Sequence, residues 1–157
     1  MKNKHEIQKA QQSDIPDIVK IHRKCIVTTN SKHYPEEVIK EWVETINEKG
    51  VSDQITTTQW YVLKLTGQTI GFAQIDTGKG VLYQIHIDPD FQNQGYGKTL
   101  LNFLIGEFRN SGTEKITLLA TLNAVPFYET NGFTRNEDTT IPLVKEFIDM
   151  VEMQRNL

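Results

Sequence analysis

The chain has 157 residues, with 17 Lys and Arg against 20 Asp and Glu for a net charge of −3, and 38% hydrophobic residues. That length can bury a core without staples, and the slightly acidic balance offers no broad basic face, so nucleic acid is not an expected partner. The lone Cys25 excludes an intrachain disulfide, no run approaches the roughly 20 apolar residues that cross a bilayer, and "MKNKHEIQKAQQSD" lacks the apolar stretch of a secretory signal; the expectation is one cytoplasmic domain over 1–157, away from membranes.

Residues 5–11 read as a weak first strand. Ser13 is placed to cap a helix and Pro16 to sit in its first turn, where no N–H is needed. Ile15, Ile18, Val19, His22, Cys25 and Ile26 recur along it at helical spacing. A second helix opens at "YPEEV", with Pro35 at its start and Glu36 and Glu37 at its positive end. Its apolar stripe is Val38, Ile39, Trp42, Val43 and Ile46, and Gly50 is its expected stop. The period then shortens. "WYVLKL" (60–65), "TIGFAQID" (69–76) and "VLYQIHI" (81–87) are β-rich runs separated by glycine turns, which predicts an antiparallel meander ended by Asp88-Pro89.

From Gly95 the helical spacing returns, with Leu100, Leu101, Leu104, Ile105 and Phe108 on one face and Ser111-Gly112 closing it. "KITLLATL" (115–122) is apolar enough for an interior strand. In "NAVPFYETNGF", Asn123 is expected to cap a short helix, Pro126 to occupy its first turn, and Asn131-Gly132 to end it in a left-handed conformation. Phe133 would open another strand. In the tail, Ile141, Val144, Ile148 and Val151 have helical spacing, while "FIDMVEM" suits a strand equally. The order β-α-α-β-β-β-α-β-α-β(-β) is a mixed α/β layer fold around one sheet.

"QNQGYGKTLL" (92–101) carries the chemistry. Gly97-Lys98-Thr99 would end a P-loop, but that motif's first glycine falls on Gln92, and a dinucleotide fingerprint would need a third glycine at Leu100. Gln92-Asn93-Gln94-Gly95-Tyr96-Gly97 instead matches the pattern Q/R-x-x-G-x-G/A. Amides running from such a loop into a first helical turn have no internal partner, and with the helix dipole they favour a pyrophosphate. Glycines at 95 and 97 would let it approach, and Lys98 adds charge.

With "YQIHIDPDFQNQGYGKTLL" followed by "NAVPFYETNGF", the chain resembles the GNAT superfamily of acyl-coenzyme A-dependent N-acyltransferases; "HYPEEVIKEW" (33–42) is similar to a poorly characterised bacterial branch of it. The resemblance implies a GNAT-like fold: a mixed, mostly antiparallel central sheet with helices on both faces, the tail as a strand, and splayed parallel strands at 81–87 and 115–122. It implies acetyl-coenzyme A as cofactor, its pantetheine arm lying in the splay against the backbone of Ile85, His86 and Ile87, where a bulge would free an N–H for the developing oxyanion. Gln92, Asn93, Gln94, Gly95, Tyr96, Gly97 and Lys98 would hold the pyrophosphate. Asn123, Phe127 and Tyr128 would flank the arm, and Tyr128 would also protonate the leaving thiolate.

Many members of that family carry an acidic residue where Tyr83 falls, which leaves the base open among His86, Asp76, Glu129 and a relaying water. His86 would alternate to the face opposite Tyr83 and is read as a solvated strand residue; Trp42, His22 and Cys25 are read as packing. His33 and Tyr34 lie, with Trp42, where substrate-facing helices sit in the family. The four histidines and one cysteine show no metal-ligand spacing. The implied function is acetyl transfer from acetyl-coenzyme A to an amine acceptor, small molecule or peptide, by direct attack in a ternary complex. The alternatives are a non-catalytic acyl-coenzyme A sensor or another phosphate-ligand protein such as a nucleotide binder. A homodimer through an exposed C-terminal strand fits the same resemblance.

Overall fold

The computed structural model describes residues 4–157. The elements run β1 His5–Lys9, α1 Ile15–Thr28, α2 Glu36–Glu44, α3 Glu48–Gln54, β2 Gln59–Leu65, β3 Gln68–Asp76, β4 Val81–Ile87, α4 Tyr96–Asn110, β5 Lys115–Thr121, α5 Val125–Thr130, β6 Thr134–Pro142 and β7 Phe147–Asn156. One seven-stranded sheet takes the order β1-β2-β3-β4-β5-β7-β6. Every pairing is antiparallel except β4 with β5. This is the mixed α/β fold the resemblance implied. Among the described residues no helix is long and apolar enough to cross a membrane.

The sheet is covered on both faces, and its central strands divide their side chains accordingly. In β2, Tyr61, Leu63 and Leu65 join the core under α4 and α5, while Trp60 and Val62 join the core under α1 and α3. A strand buried on both faces reads as a continuous apolar run, which is why "WYVLKL" shows no alternation. A third cluster, Ile26, Tyr34, Val38, Ile39 and Trp42 with Ile148 and Met150, fastens α2 to β7.

Several local expectations are corrected. Ser13 does not cap α1. A 3-10 turn, Gln12–Asp14, precedes that helix, and the buried Asp14 carboxylate accepts from the Gln11 N–H at 2.8 Å. Gly50 stops nothing. α2 ends earlier, at Thr45, whose hydroxyl donates back to the Trp42 carbonyl at 2.6 Å. Gly50 lies inside α3, donating its N–H to the Asn47 side chain at 2.9 Å. α3 leaves little trace in the sequence because Val51 is its one buried residue. Asn123 does not cap α5; it sits in a 3-10 turn, Leu122–Ala124, and Ala124 holds the cap position. Gly132 alone supplies the left-handed stop, since Asn131 has φ −103°. The tail is a strand: its apparent helical period came from Ile141 in β6, Val144 in the turn, and Ile148 and Val151 in β7.

The feature that makes a site is the β4–β5 boundary. The two strands share one register pair, Val81 with Thr117, supported by the Thr117 N–H donating to the Gly80 carbonyl at 2.9 Å. They then part. Each stays laddered on its far side, β4 to β3 and β5 to β7 through Thr121, so the gap is held open by strands that cannot relax into it. A bulge lies in β4, but not at 85–87. Gln74 pairs with Gln84 and Ile75 with Leu82, so Tyr83 is the extra residue. The slip puts Leu82 on the same core face as Ile85 and Ile87 despite the odd spacing.

Candidate functional site

A cavity of about 440 Å³ occupies the parting of the strands. Gln84, Ile85 and His86 of β4 form one wall and Ala120 and Thr121 of β5 the other, with Tyr128 of α5 beside them. His22 of α1, Trp42, and the β6–β7 segment with Ile141 and Leu143 close the far end.

His86 is not a solvated strand residue. Its ring lies 4.3 Å from that of His22, tilted by 31°, and 5.2 Å from Phe72. Burial lowers its pKa to about 4. Burial, with the neighbouring His86, also holds His22 well below the usual imidazole range. Both rings are therefore neutral at neutral pH, with lone pairs available. Tyr83 and His86 both border the cavity, as do Gln84 and Ile85 between them, and the bulge at Tyr83 interrupts the alternation of the strand.

Tyr128 is 5% exposed, its ring edge-on to Phe127 and Phe133 at 5.2 and 5.4 Å. Burial pushes its hydroxyl above the ordinary phenol range, so it carries its proton throughout the physiological range. Asp76 and Glu129 are both occupied elsewhere. Asp76 accepts from the Lys79 N–H at 3.1 Å in the β3–β4 turn, and Glu129 lies 3.7 Å from Arg135. No carboxylate lines the cavity.

The loop from β4 to α4 is tied to α1. Lys24 Nζ reaches Asp88 at 2.8 Å and Asp90 at 2.7 Å, and the Asp90 N–H donates to Asp88 at 2.9 Å. The Ile87 carbonyl accepts from Cys25 Sγ at 3.2 Å and from Gln92 Nε2 at 2.9 Å. The Gln92 side chain is thus turned into the fold, where it also meets the Thr29 hydroxyl at 3.3 Å. Asn93 and Gly95 have φ of 62° and 88°, which swings the chain into α4. The first helical bond is from the Thr99 N–H to the Gly95 carbonyl, 3.1 Å, leaving the amides of Tyr96, Gly97 and Lys98 without helical acceptors. Asn93, Gln94, Gly95 and Lys98 are exposed around them. A Cβ at Gly97 would meet the Phe127 ring at 3.5 Å, so its bare face is turned inward, not toward an approaching ligand.

Asn123 Oδ1 is buried with no hydrogen-bond partner among the described residues, close to the mouth of the gap after β5. Tyr34 has a framework task rather than a substrate-facing one. Its hydroxyl donates to the Asp149 carbonyl at 2.5 Å and accepts from the Leu122 N–H at 2.9 Å, and its ring meets Trp42 edge-on at 5.2 Å. His33 is exposed. Trp42 belongs to the core, as expected, and also borders the cavity.

The family model described as acetyltransferase (GNAT) domain matches residues 30–157. This chain belongs to that family. A GCN5-related N-acetyltransferase from Rhodopseudomonas palustris superposes with a TM-score of 0.93, covering 100% of this chain and 99% of that one at 20% identity. The PaiA N-acetyltransferase of Thermoplasma acidophilum, solved in complex with coenzyme A, superposes at 0.82 over 98% and 99% with 22% identity. At such identities the likeness is one of fold. The [ribosomal protein bS18]-alanine N-acetyltransferase of Escherichia coli (strain K12) is 34% identical over 84 residues, 50% of this chain and 55% of that one. The chain spans about half the length of the curated relatives it matches, from 38% to 55%.

Within this GNAT domain, sequence reasoning did not single out Gln84 or Thr45, which border the cavity, and it assigned His22 to packing alone. His22 carried a signal, since its helical spacing with Ile18 and Cys25 sets it on the sheet-facing side of α1. Gln84 carried none, because its orientation depends on the bulge.

Proposed function

We propose that the protein transfers the acetyl group of acetyl-coenzyme A to an amine acceptor by direct attack within a ternary complex. The observation that carries this reading is the β4 edge left without a ladder partner past Val81, lying between the free amides of α4 and the protonated hydroxyl of Tyr128. An open strand edge takes an extended amide-bearing arm as an added strand, here along Ile85 and His86. At Ile87 the carbonyl is already engaged, which restricts that residue's share. The orphaned Asn123 Oδ1 suits an N–H or hydroxyl of the same arm, and the Phe127 ring lies on the inner side of the helix start, where a Cβ at Gly97 would meet it.

The amides from Asn93 to Lys98, with the Lys98 charge, hold the pyrophosphate. Gln94 and Tyr96 frame that turn, and Gln92 braces it from behind by fixing the Ile87 carbonyl. Acetyl-coenzyme A supplies an activated acetyl group and a thiolate leaving group. A backbone N–H on the free β4 edge faces the carbonyl as charge builds on its oxygen. Tyr128 gives its proton to the departing sulfur. The acceptor is a primary amine, on a small molecule or a peptide, and a second copy of the chain pairs along β6, one of the sheet's two edges, because the C-terminal strand β7 lies inside the sheet between β5 and β6 and exposes no edge.

Acetyl-coenzyme A should raise the melting temperature, and ATP and NAD should not. Thiol release in the presence of amines should follow. A melting shift with no thiol released by any amine would favour a sensor over an enzyme, and a larger shift with ATP or NAD would sink both.

A further inference from the structure

The cavity meets a run of side-chain hydrogen bonds that begins at Trp60. Its Nε1 can only donate, and it does so to Thr58 Oγ1 at 2.9 Å and to the Gln54 carbonyl at 3.2 Å. The Thr58 hydroxyl gives its single proton to the Gln54 carbonyl at 3.1 Å, so toward its other neighbours it accepts. Gln74, 4% exposed, presents its NH2, which lies 3.1 Å from Thr58 Oγ1 and 2.8 Å from Gln54 Oε1. Both amide protons of Gln74 are used, so its Oε1 can only accept, and it receives Gln84 Nε2 at 2.9 Å. The Gln84 amide turns its NH2 toward Gln74 and leaves its Oε1 free of any donor among the described residues, on a side chain that borders the cavity.

The neutral rings of His22 and His86 border the same cavity. The titratable groups on its walls are His22, Tyr83, His86 and Tyr128; no Asp, Glu, Lys or Arg lines it. Its outer wall is Trp42, Leu119, Ile141, Leu143 and Ile148. Each ammonium entering such a space loses hydration and finds no counter-ion on its walls, a cost that three neutral acceptors can offset for one amine but not for several.

We propose that Gln84 Oε1 and the His22–His86 pair form the acceptor subsite, selective for a single primary amine carried on an apolar body; this rests on the acetyl-transfer reading above. The ammonium gives up one proton to bulk water as it binds, and the neutral amine then donates N–H to Gln84, which orients its lone pair. As nitrogen bonds to the acetyl carbon and the carbon–sulfur bond breaks, the proton shed by nitrogen passes to an imidazole and the proton leaving with sulfur comes from Tyr128. Proton exchange through water then resets both groups. Polyamines and other multiply charged acceptors are excluded.

Calorimetric titration of the coenzyme A-loaded protein separates binding from turnover. 2-Phenylethylamine should bind and spermidine should bind more weakly. Gln84→Met should weaken phenylethylamine by about tenfold, the share of one hydrogen bond, and leave coenzyme A affinity within about twofold. Equal phenylethylamine affinity in Gln84→Met overturns the proposal. So does a wild-type protein that prefers spermidine or binds neither amine, a result that does not depend on how the variant folds. Amine binding with no thiol release from acetyl-coenzyme A would sink the transfer reading while leaving the subsite in place.

Discussion

Gly95 and Gly97 stand two residues apart in one motif and answer different demands. Gly95 has φ +88°, and nothing lies within 4 Å of where its Cβ would sit, so backbone conformation alone requires glycine there. Gly97 lies within α4, and an added methyl would touch Phe127 at an ordinary contact distance. Gly95→Ala should therefore cost about 1–2 kcal/mol of stability and weaken acetyl-coenzyme A by disturbing the amides that follow. Gly97→Ala should leave both the unfolding midpoint and the cofactor titration near wild type. The motif pattern could not separate these two, because φ is set by the path of the loop and not by the residue names. Gln92 carries the same lesson: its place in the motif suggested phosphate, and its amide is spent on Ile87. Tyr128 sits at the cavity, as the motif placed it. Tyr128→Phe keeps a ring that fills the space between Phe127 and Phe133. Its kcat should fall about 10²-fold or more, with KM for acetyl-coenzyme A little changed. Full turnover in that variant would remove Tyr128 from the proposed chemistry.

At the scale of elements, the β4–β5 opening is kept by clasps at its ends. Tyr34 ties the entry of α2 to the turn after β5 and to β7, through one hydroxyl that both donates and accepts. Tyr34→Phe strands a half-buried Leu122 N–H and the Asp149 carbonyl, and should cost about 1–3 kcal/mol by denaturant unfolding. A loss under a few tenths of a kcal/mol would mean that water replaces the hydroxyl and that the clasp is not needed. The strands, the long helix α4 and the order of elements could be read from apolar period and glycine turns, because those patterns are local. The bulge could not. In "VLYQIHI" the run Val81-Leu82-Tyr83 is apolar throughout and does not say which residue is extra, which is fixed only against the register of β3. α3 escaped for the opposite reason, since it buries too little to leave a stripe.

Across the whole molecule, the groups buried uncharged set the pH range of the fold. His22 and His86 are held neutral by burial, His86 to about 4, while in the unfolded chain both take up protons near 6.5. Below 6.5 the unfolded state binds more protons than the native state, so stability rises with pH across this window and falls as pH drops from about 6.5 toward 4. Cys25 acts at the other limit. Burial pushes its thiol from 9.0 to about 12, so above pH 9 the unfolded chain ionises first and stability falls again. His86→Phe keeps an aromatic ring against His22 and Phe72 but has no proton to gain. Its melting temperature should decline less steeply than that of the wild type between pH 6.5 and 4, and carboxylate titration, common to both proteins, cancels in the comparison. Parallel curves across that window would mean that His86 is no more depressed in the fold than in the open chain. Its ring would then be partly protonated near neutrality, and it could not serve an incoming amine as a neutral acceptor.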